Sequence, residues 1–241
     1  MTAILFDAET TGLTEPQIIE WCYQFVTLPF DIEASRLGAS GRCKPSKPIE
    51  FGALATHGIL DHELARFPDA ADFKLPSEVE FVIGWNVASD LSAIPNSDGL
   101  KPIDLIGIAR RFWPDSDSYS QSAIIYRLFG RTDVAREMVN EAHSAVMDVL
   151  NLAAIFGKAA DHRPGLFADF NTLYEFSEEC SVPEIMPMGK FKGRPVSEVD
   201  QGWRKWYFNM PDADPNILKA LDKWPFGCRM PDPNRYAARQ S

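Results

Sequence analysis

Two carboxylates two positions apart, Asp7 and Glu9 in ILFDAETTGL, close an apolar run near the start of this 241-residue chain. A third acid, Asp90 in GWNVASDL, follows a second apolar run, and His143 and Asp148 share the segment EAHSAVMDV. Side chains alternate along a strand, so Asp7 and Glu9 at a strand end present both carboxylates to one face. Carboxylates gathered in one place repel, and the usual relief is to bind hard divalent cations through oxygen. Such a cluster can hold Mg²⁺ or Mn²⁺ beside a phosphodiester and hydrolyse it. Each piece alone says little: a lone D-x-E is a strand ending in solvated acids, and a histidine near a helix acid is most simply surface. Their joint occurrence, each at the end of an element, carries the reading.

The five positions from His143 to Asp148 amount to about 500° on a regular helix, which turns the two side chains apart. A helix capped by Ser144 removes the difficulty, because His143 then lies just outside it and Asp148 sits one turn in, facing the cleft. That helix is expected to run to about Phe156, with Gly157 just past its end. Residues 3–7 read as a buried strand, and residues 18–28 as a second one rich in branched and aromatic side chains. A third strand is expected within residues 35–44, with GASG as its turn, in an antiparallel meander. Helical spacing over residues 51–67 is interrupted at His57-Gly58, giving two short helices. Residues 81–85 form a buried strand ahead of Asp90, with Asn86 bonding the local backbone between them. Residues 103–112 and 120–129 are amphipathic helices closed by Pro114 and Gly130. A helix and linker over residues 162–184 precede a change of composition at Pro187, and a short helix covers residues 216–224. Strands first, then strands alternating with helices, predict an α/β protein with a mixed sheet flanked by helices.

At 45% apolar and 24% charged residues, the composition excludes wholesale disorder. No apolar run approaches the roughly 20 residues of a membrane-spanning helix. The opening MTAILFDAETTG lacks the basic-then-apolar pattern of a secretory leader. Cys22, Cys43, Cys180 and Cys228 show neither CxxC pairing nor zinc spacing, and they read as reduced thiols of a cytoplasmic protein. Net charge is −10, yet residues 186–241 hold ten Lys/Arg against six Asp/Glu, so an acidic body of −14 carries a basic tail. This excludes a protein that coats DNA along a positive groove and suits one that grips phosphate through bound metal with few direct contacts.

The ordered set D-x-E, N-x-x-x-D and H-x-x-x-x-D resembles the DnaQ-like DEDD superfamily of 3′-to-5′ exonucleases, in the subgroup with histidine rather than tyrosine. The likeness covers roughly residues 1–157, including PIEFGALATHGIL between the first and second motifs. IDLIGIARRFWP with YSQS, and MPMGKFKGRPVSEVD with WRKWYFN, resemble the exodeoxyribonuclease X branch and extend the likeness over nearly the whole chain. The resemblance implies a ribonuclease H-like mixed β-sheet flanked by helices, with a small C-terminal extension. It implies an exonuclease domain over residues 1–160, a helix and linker over 161–185, and a basic extension over 186–241. Two departures stand out: the branch often has His and Phe where this chain has Trp85 and Ser89.

By the same resemblance Asp7, Glu9, Asp90 and Asp148 hold two Mg²⁺ or Mn²⁺ ions, and His143 is the general base that takes a proton from the attacking water. The expected product is a nucleoside 5′-monophosphate, released from DNA 3′ ends that are single-stranded or frayed, and a role in DNA repair follows. A related exoribonuclease stays open, since no residue type here reads a 2′-hydroxyl. So do a proofreading subunit and a catalytically silent nucleic-acid-binding module on the same fold. Nucleic-acid contacts are expected at Thr10, Thr11 and Gly12, whose N–H groups and hydroxyls can meet phosphate or sugar, and at His57 and Asn86. Leu13 and Ile59 are read either as apolar wedges against terminal bases or as core residues. The simpler reading of His57 is a structural histidine. In the tail, GKFKGRP offers a glycine-bounded cationic turn able to hold a phosphate, whereas Trp203, Trp206 and Tyr207 are expected to form that unit's own core.

Overall fold

Branched and aromatic residues recurring with period two through the first hundred residues build the sheet. The computed structural model describes residues 2–31, 36–95, 97–140, 144–232 and 235–236. Five strands, β1 (Thr2–Thr10), β2 (Ile18–Val26), β3 (Arg36–Arg42), β4 (Val79–Gly84) and β5 (Lys101–Asp104), form one sheet in the order β3-β2-β1-β4-β5. Pairing is antiparallel for β1–β2 and β2–β3 and parallel for β1–β4 and β4–β5, so the sheet is mixed as expected. The helices are α1 (Phe51–His57), α2 (Val87–Ser92), α3 (Leu105–Phe112), α4 (Gln121–Phe129), α5 (Asp133–Asn140), α6 (Ala145–His162), α7 (Phe170–Ser181), α8 (Gln201–Phe208) and α9 (Pro215–Lys223).

Alternation along β1 assigns its two faces. Ala3 and Leu5 enter the larger core, which α3, α4, α6 and α7 cover, whereas Ile4 and Phe6 enter a smaller one with Phe73, Val82 and Val87. Each of the larger side chains here, fully buried, contributes about 1.5–3 kcal/mol. Carrying the alternation onward puts Asp7 and Glu9 on the Leu5 side, which is the side of α6. The parallel register of β1 with β4 stops at Leu5 opposite Ile83, so the last residues of β1 project beyond the neighbouring strand. Ligands of open α/β sheets bind in a crevice of this kind, outside the carboxyl ends of parallel strands.

Several local expectations are corrected. GASG is not a turn but lies inside β3, where Gly38 and Gly41 sit under the Tyr23 and Trp21 rings of β2. A Cβ at Gly38 would come within 2.1 Å of Tyr23, and one at Gly41 within 2.9 Å of Trp21. Residues 103 and 104 belong to β5, and Asp104 caps α3 by accepting from the Ile106 N–H at 3.1 Å. Gly157 does not end α6, which runs to His162; the glycine makes room for the Phe30 ring, which a Cβ would approach to 2.9 Å. Helix α5 was not anticipated. The helix expected from His162 starts at Phe170, capped by Asp169, which accepts from the Thr172 N–H at 2.9 Å. Among the described residues no helix is long and apolar enough to cross a membrane.

The C-terminal residues build a hydrophobic cluster of their own from Met186, Phe191, Val196, Tyr207, Ile217 and Leu221. Arg204 is buried within it and donates to the carbonyls of Val196, Val199 and Trp224 at 2.7 Å and of Leu221 at 2.5 Å. Turning Arg204 and Tyr207 inward fixes the orientation of α8. Tyr207 is core as expected and Trp203 is half-buried, but Trp206 is 55% exposed, contrary to its expected core role.

Candidate active site

Asp7 and Glu9 at the end of β1 meet Asp148 in the first turn of α6: one carboxylate oxygen from each lies within 4.8 Å of the other two. Ser144 caps α6, its hydroxyl accepting from the Met147 N–H at 3.3 Å, and this sets Asp148 one turn in. Asp90 arrives from α2. It is buried and takes a hydrogen bond from the backbone of Ala8, between Asp7 and Glu9. Its presentation depends on Asn86, which adopts left-handed backbone (φ 62°), a conformation asparagine tolerates better than most residues. The Asn86 side chain makes no capping bond; the loop is held by its N–H donating to Asp104 Oδ1 at 2.9 Å. His143 lies outside the described residues.

The electrostatics are those of a site short of positive charge. Burial raises Asp7 well above the ordinary carboxylate range, and repulsion from Asp90, Asp148, Glu9 and Glu20 adds to it. Burial, then Asp148 and Glu20, lifts Glu9 to about 7. Asp90 goes up to about 8, burial outweighing the bond from Ala8. The neighbouring Cys22 thiol is pushed to about 12 by burial and by Asp7, which removes it as a nucleophile. Hard carboxylate donors at this spacing, held against their own repulsion, fit a divalent cation such as Mg²⁺ or Mn²⁺.

Around this centre the other expected contact residues divide. Leu13 is 91% exposed. Gly12 (φ 147°) lets the Glu50 carboxylate pack where a side chain would stand, and Glu50 accepts from the Leu13 N–H at 3.3 Å. Thr11 is fully buried and its polar groups are already used. Its N–H donates to the Gln17 carbonyl, its own carbonyl accepts from Glu50, and its hydroxyl accepts from the Gln17 N–H. The Thr10 hydroxyl donates to the Gly12 carbonyl at 3.3 Å. The turn is therefore braced internally, leaving fewer free donors than its sequence suggested. Ile59 is buried with Ile19, Ile49 and Leu64 and serves that small core. His57 Nδ1 accepts from the Ile59 N–H at 3.0 Å, so the proton sits on Nε2, and burial lowers its pKa. Asn86 and Ser89 are exposed, while the Trp85 indole donates to the Tyr119 carbonyl at 3.2 Å and packs against the main core.

No protein-family model matches the sequence, and no curated protein sequence matches it. Solved structures do. Exonuclease X, in complex with 5′-overhanging duplex DNA, aligns with a TM-score of 0.56 and 22% identity over 73% of this chain and 99% of its own. E. coli Exonuclease I in complex with a dA16 oligonucleotide gives 0.53 and 18% identity over 69% of this chain and 42% of its own. This chain shares the ribonuclease H-like fold of these exonuclease structures. A zinc-bound Exonuclease I–ssDNA complex aligns similarly, at 0.52 and 17% identity. The alignment spans less than half of Exonuclease I, and at these identities the likeness is one of fold.

Around this cluster two supporting acids escaped the sequence reading. Glu20 stands opposite Glu9 in the β1–β2 register. One of its oxygens pairs with Arg42 Nε at 2.9 Å, and the other accepts from the Ala145 N–H, the first of α6, at 3.2 Å. It thus ties the start of the helix bearing Asp148 to the strand beside Asp7. Asp104 does the same for Asp90, joining the Asn86 N–H to the N-terminus of α3 through one carboxylate. The D-x-E and E-W-C segments could have suggested Glu20 once the hairpin register was known.

Proposed function

We propose that the chain is a metal-dependent 3′-to-5′ exonuclease that hydrolyses DNA from single-stranded or frayed 3′ ends and releases nucleoside 5′-monophosphates. The observation that carries this reading is the convergence of Asp7, Glu9 and Asp148 oxygens within 4.8 Å, drawn from a strand and a helix about 140 residues apart in sequence. Asp7, Glu9, Asp90 and Asp148 are the ligands assigned to two Mg²⁺ or Mn²⁺ ions. When bound, such ions lower the pKa of water and stabilise the charge that develops on the leaving oxygen. The chain's own part is to orient the acids: β1 fixes two, the Ser144 cap fixes Asp148, and the Ala8 backbone fixes Asp90. His143, immediately before that cap, is assigned as the base that accepts the proton of the attacking water, a task suited to a neutral imidazole. Leu13 offers its exposed side chain to the terminal base without reading its edge, which favours little sequence preference.

The test is digestion of 3′-labelled DNA and RNA with Mg²⁺ or Mn²⁺, with chelator and Asp148→Ala as controls. Label release as mononucleotide from DNA, abolished by both controls, is expected. Degradation that survives the chelator or the substitution would overturn the metal reading, and degradation of RNA alone would overturn the choice of DNA.

A further inference from the structure

The C-terminal unit carries a row of rings that leads from its own core to its surface. Phe191 meets Trp203 edge-on at 6.0 Å between centroids, and Trp203 lies 5.6 Å from Trp206, which is 55% exposed. The row starts beneath the cationic turn. Gly189 packs on the Trp203 ring, and Lys190 reaches Asp200 Oδ2 at 2.9 Å, fastening that turn to the start of α8. Lys192 and Arg194, further along the turn, are exposed and form no ion pair with the described residues. Exposed cations at one end of an aromatic row and an open indole at the other are the chemistry that binds a single strand: the ring takes a stacked base and the cations take phosphates. Charge supports the same occupant, because this basic segment is the exception in a chain of net charge −10.

We infer that Trp206, with Lys192 and Arg194, forms a second contact for single-stranded nucleic acid, separate from the carboxylate site. The inference deepens the proposed function, resting on its reading of the substrate: this contact would hold the strand whose 3′ end is being removed. It acts on binding and takes no part in hydrolysis.

The experiment is equilibrium anisotropy of labelled oligo(dT) and oligo(rU) with the full chain in chelator, where no hydrolysis intervenes. Trp206→Ala should weaken binding about five- to tenfold, the loss expected for one stacked base. Lys192→Glu with Arg194→Glu, both at exposed positions, should flatten the log–log salt dependence by about 1.4 for two phosphates. A control removing two distant exposed cations, Lys74→Ala with Arg136→Ala, should leave the slope unchanged. Equal effects on dT and rU, or an effect on either one alone, support the contact and identify the strand it takes. Unchanged affinity and slope in both patch variants, or equal losses in the control, would overturn it. Loss of chelator-sensitive hydrolysis with patch binding intact would count only against the exonuclease reading.

Discussion

Replacing Glu9 with glutamine should make the metal-free protein more stable at about pH 8 while removing its affinity for metal. Folding lifts the Glu9 carboxyl from its ordinary 4.5 to about 7, first through burial and then through Asp148 and Glu20. At about 1.4 kcal/mol per pH unit this corresponds to about 3 kcal/mol, reduced to about 2–3 because the side chain is partly exposed. The sign follows from proton binding. Between about pH 4.5 and 7 the native state holds the proton that the unfolded state has released, so stability falls as pH rises and stays low above 7. Half-buried His57, whose pKa is lowered, works the other way through about pH 6.5, so the wild-type curve alone is ambiguous and the difference between wild type and Glu9→Gln isolates the acid. Urea unfolding in chelator at about pH 4 and pH 8 should give nearly equal stabilities for the two proteins at the lower pH. At the higher pH the variant should lead by about 2–3 kcal/mol. Saturating Mg²⁺ or Mn²⁺, at about a hundred times its Kd, should restore about 2.7 kcal/mol to the wild type alone. Parallel pH curves for the two proteins, or equal stabilisation of both by metal, would refute the view of this cluster as a strained cation site.

His143→Ala should lower turnover strongly and leave Mn²⁺ affinity nearly unchanged, whereas Asp7→Ala should abolish both; titration calorimetry beside a single-turnover assay separates them. Glu20→Ala should weaken Mn²⁺ binding several-fold and speed hydrogen exchange at the start of α6, and Glu20→Gln, which keeps an acceptor for the Ala145 N–H, should recover most of the protection. Arg204→Met should destabilise the C-terminal cluster by about 3–5 kcal/mol, read by exchange or limited proteolysis, because four carbonyls lose a charged donor.

What could be read from the sequence is what depends on short-range periodicity. Two-residue alternation through Ala3, Leu5, Asp7 and Glu9 put both acids on one face, and the Ser144 cap gave Asp148 its place in the first turn. Local rules failed where a partner strand or helix decides. Glycines in GASG look like a turn until Tyr23 and Trp21 on the adjacent strand are seen to need the space of their missing side chains. Ile103 reads as helical because β5 is only four residues long, too short to display an alternation of its own. Glu20 had no local meaning at all: its value lies in facing Glu9 across the hairpin and Ala145 across 125 residues. Trp206 reads as core by composition, and only the inward turn of buried Arg204 and Tyr207 sends it to the surface. The candidate metal ligands are legible because they lie near the ends of elements, whereas the residues that hold those elements together act between them. Register errors in the hairpin would therefore leave every acid in the sequence and still dismantle the site, since a one-residue slip of β1 would turn Asp7 and Glu9 away from α6.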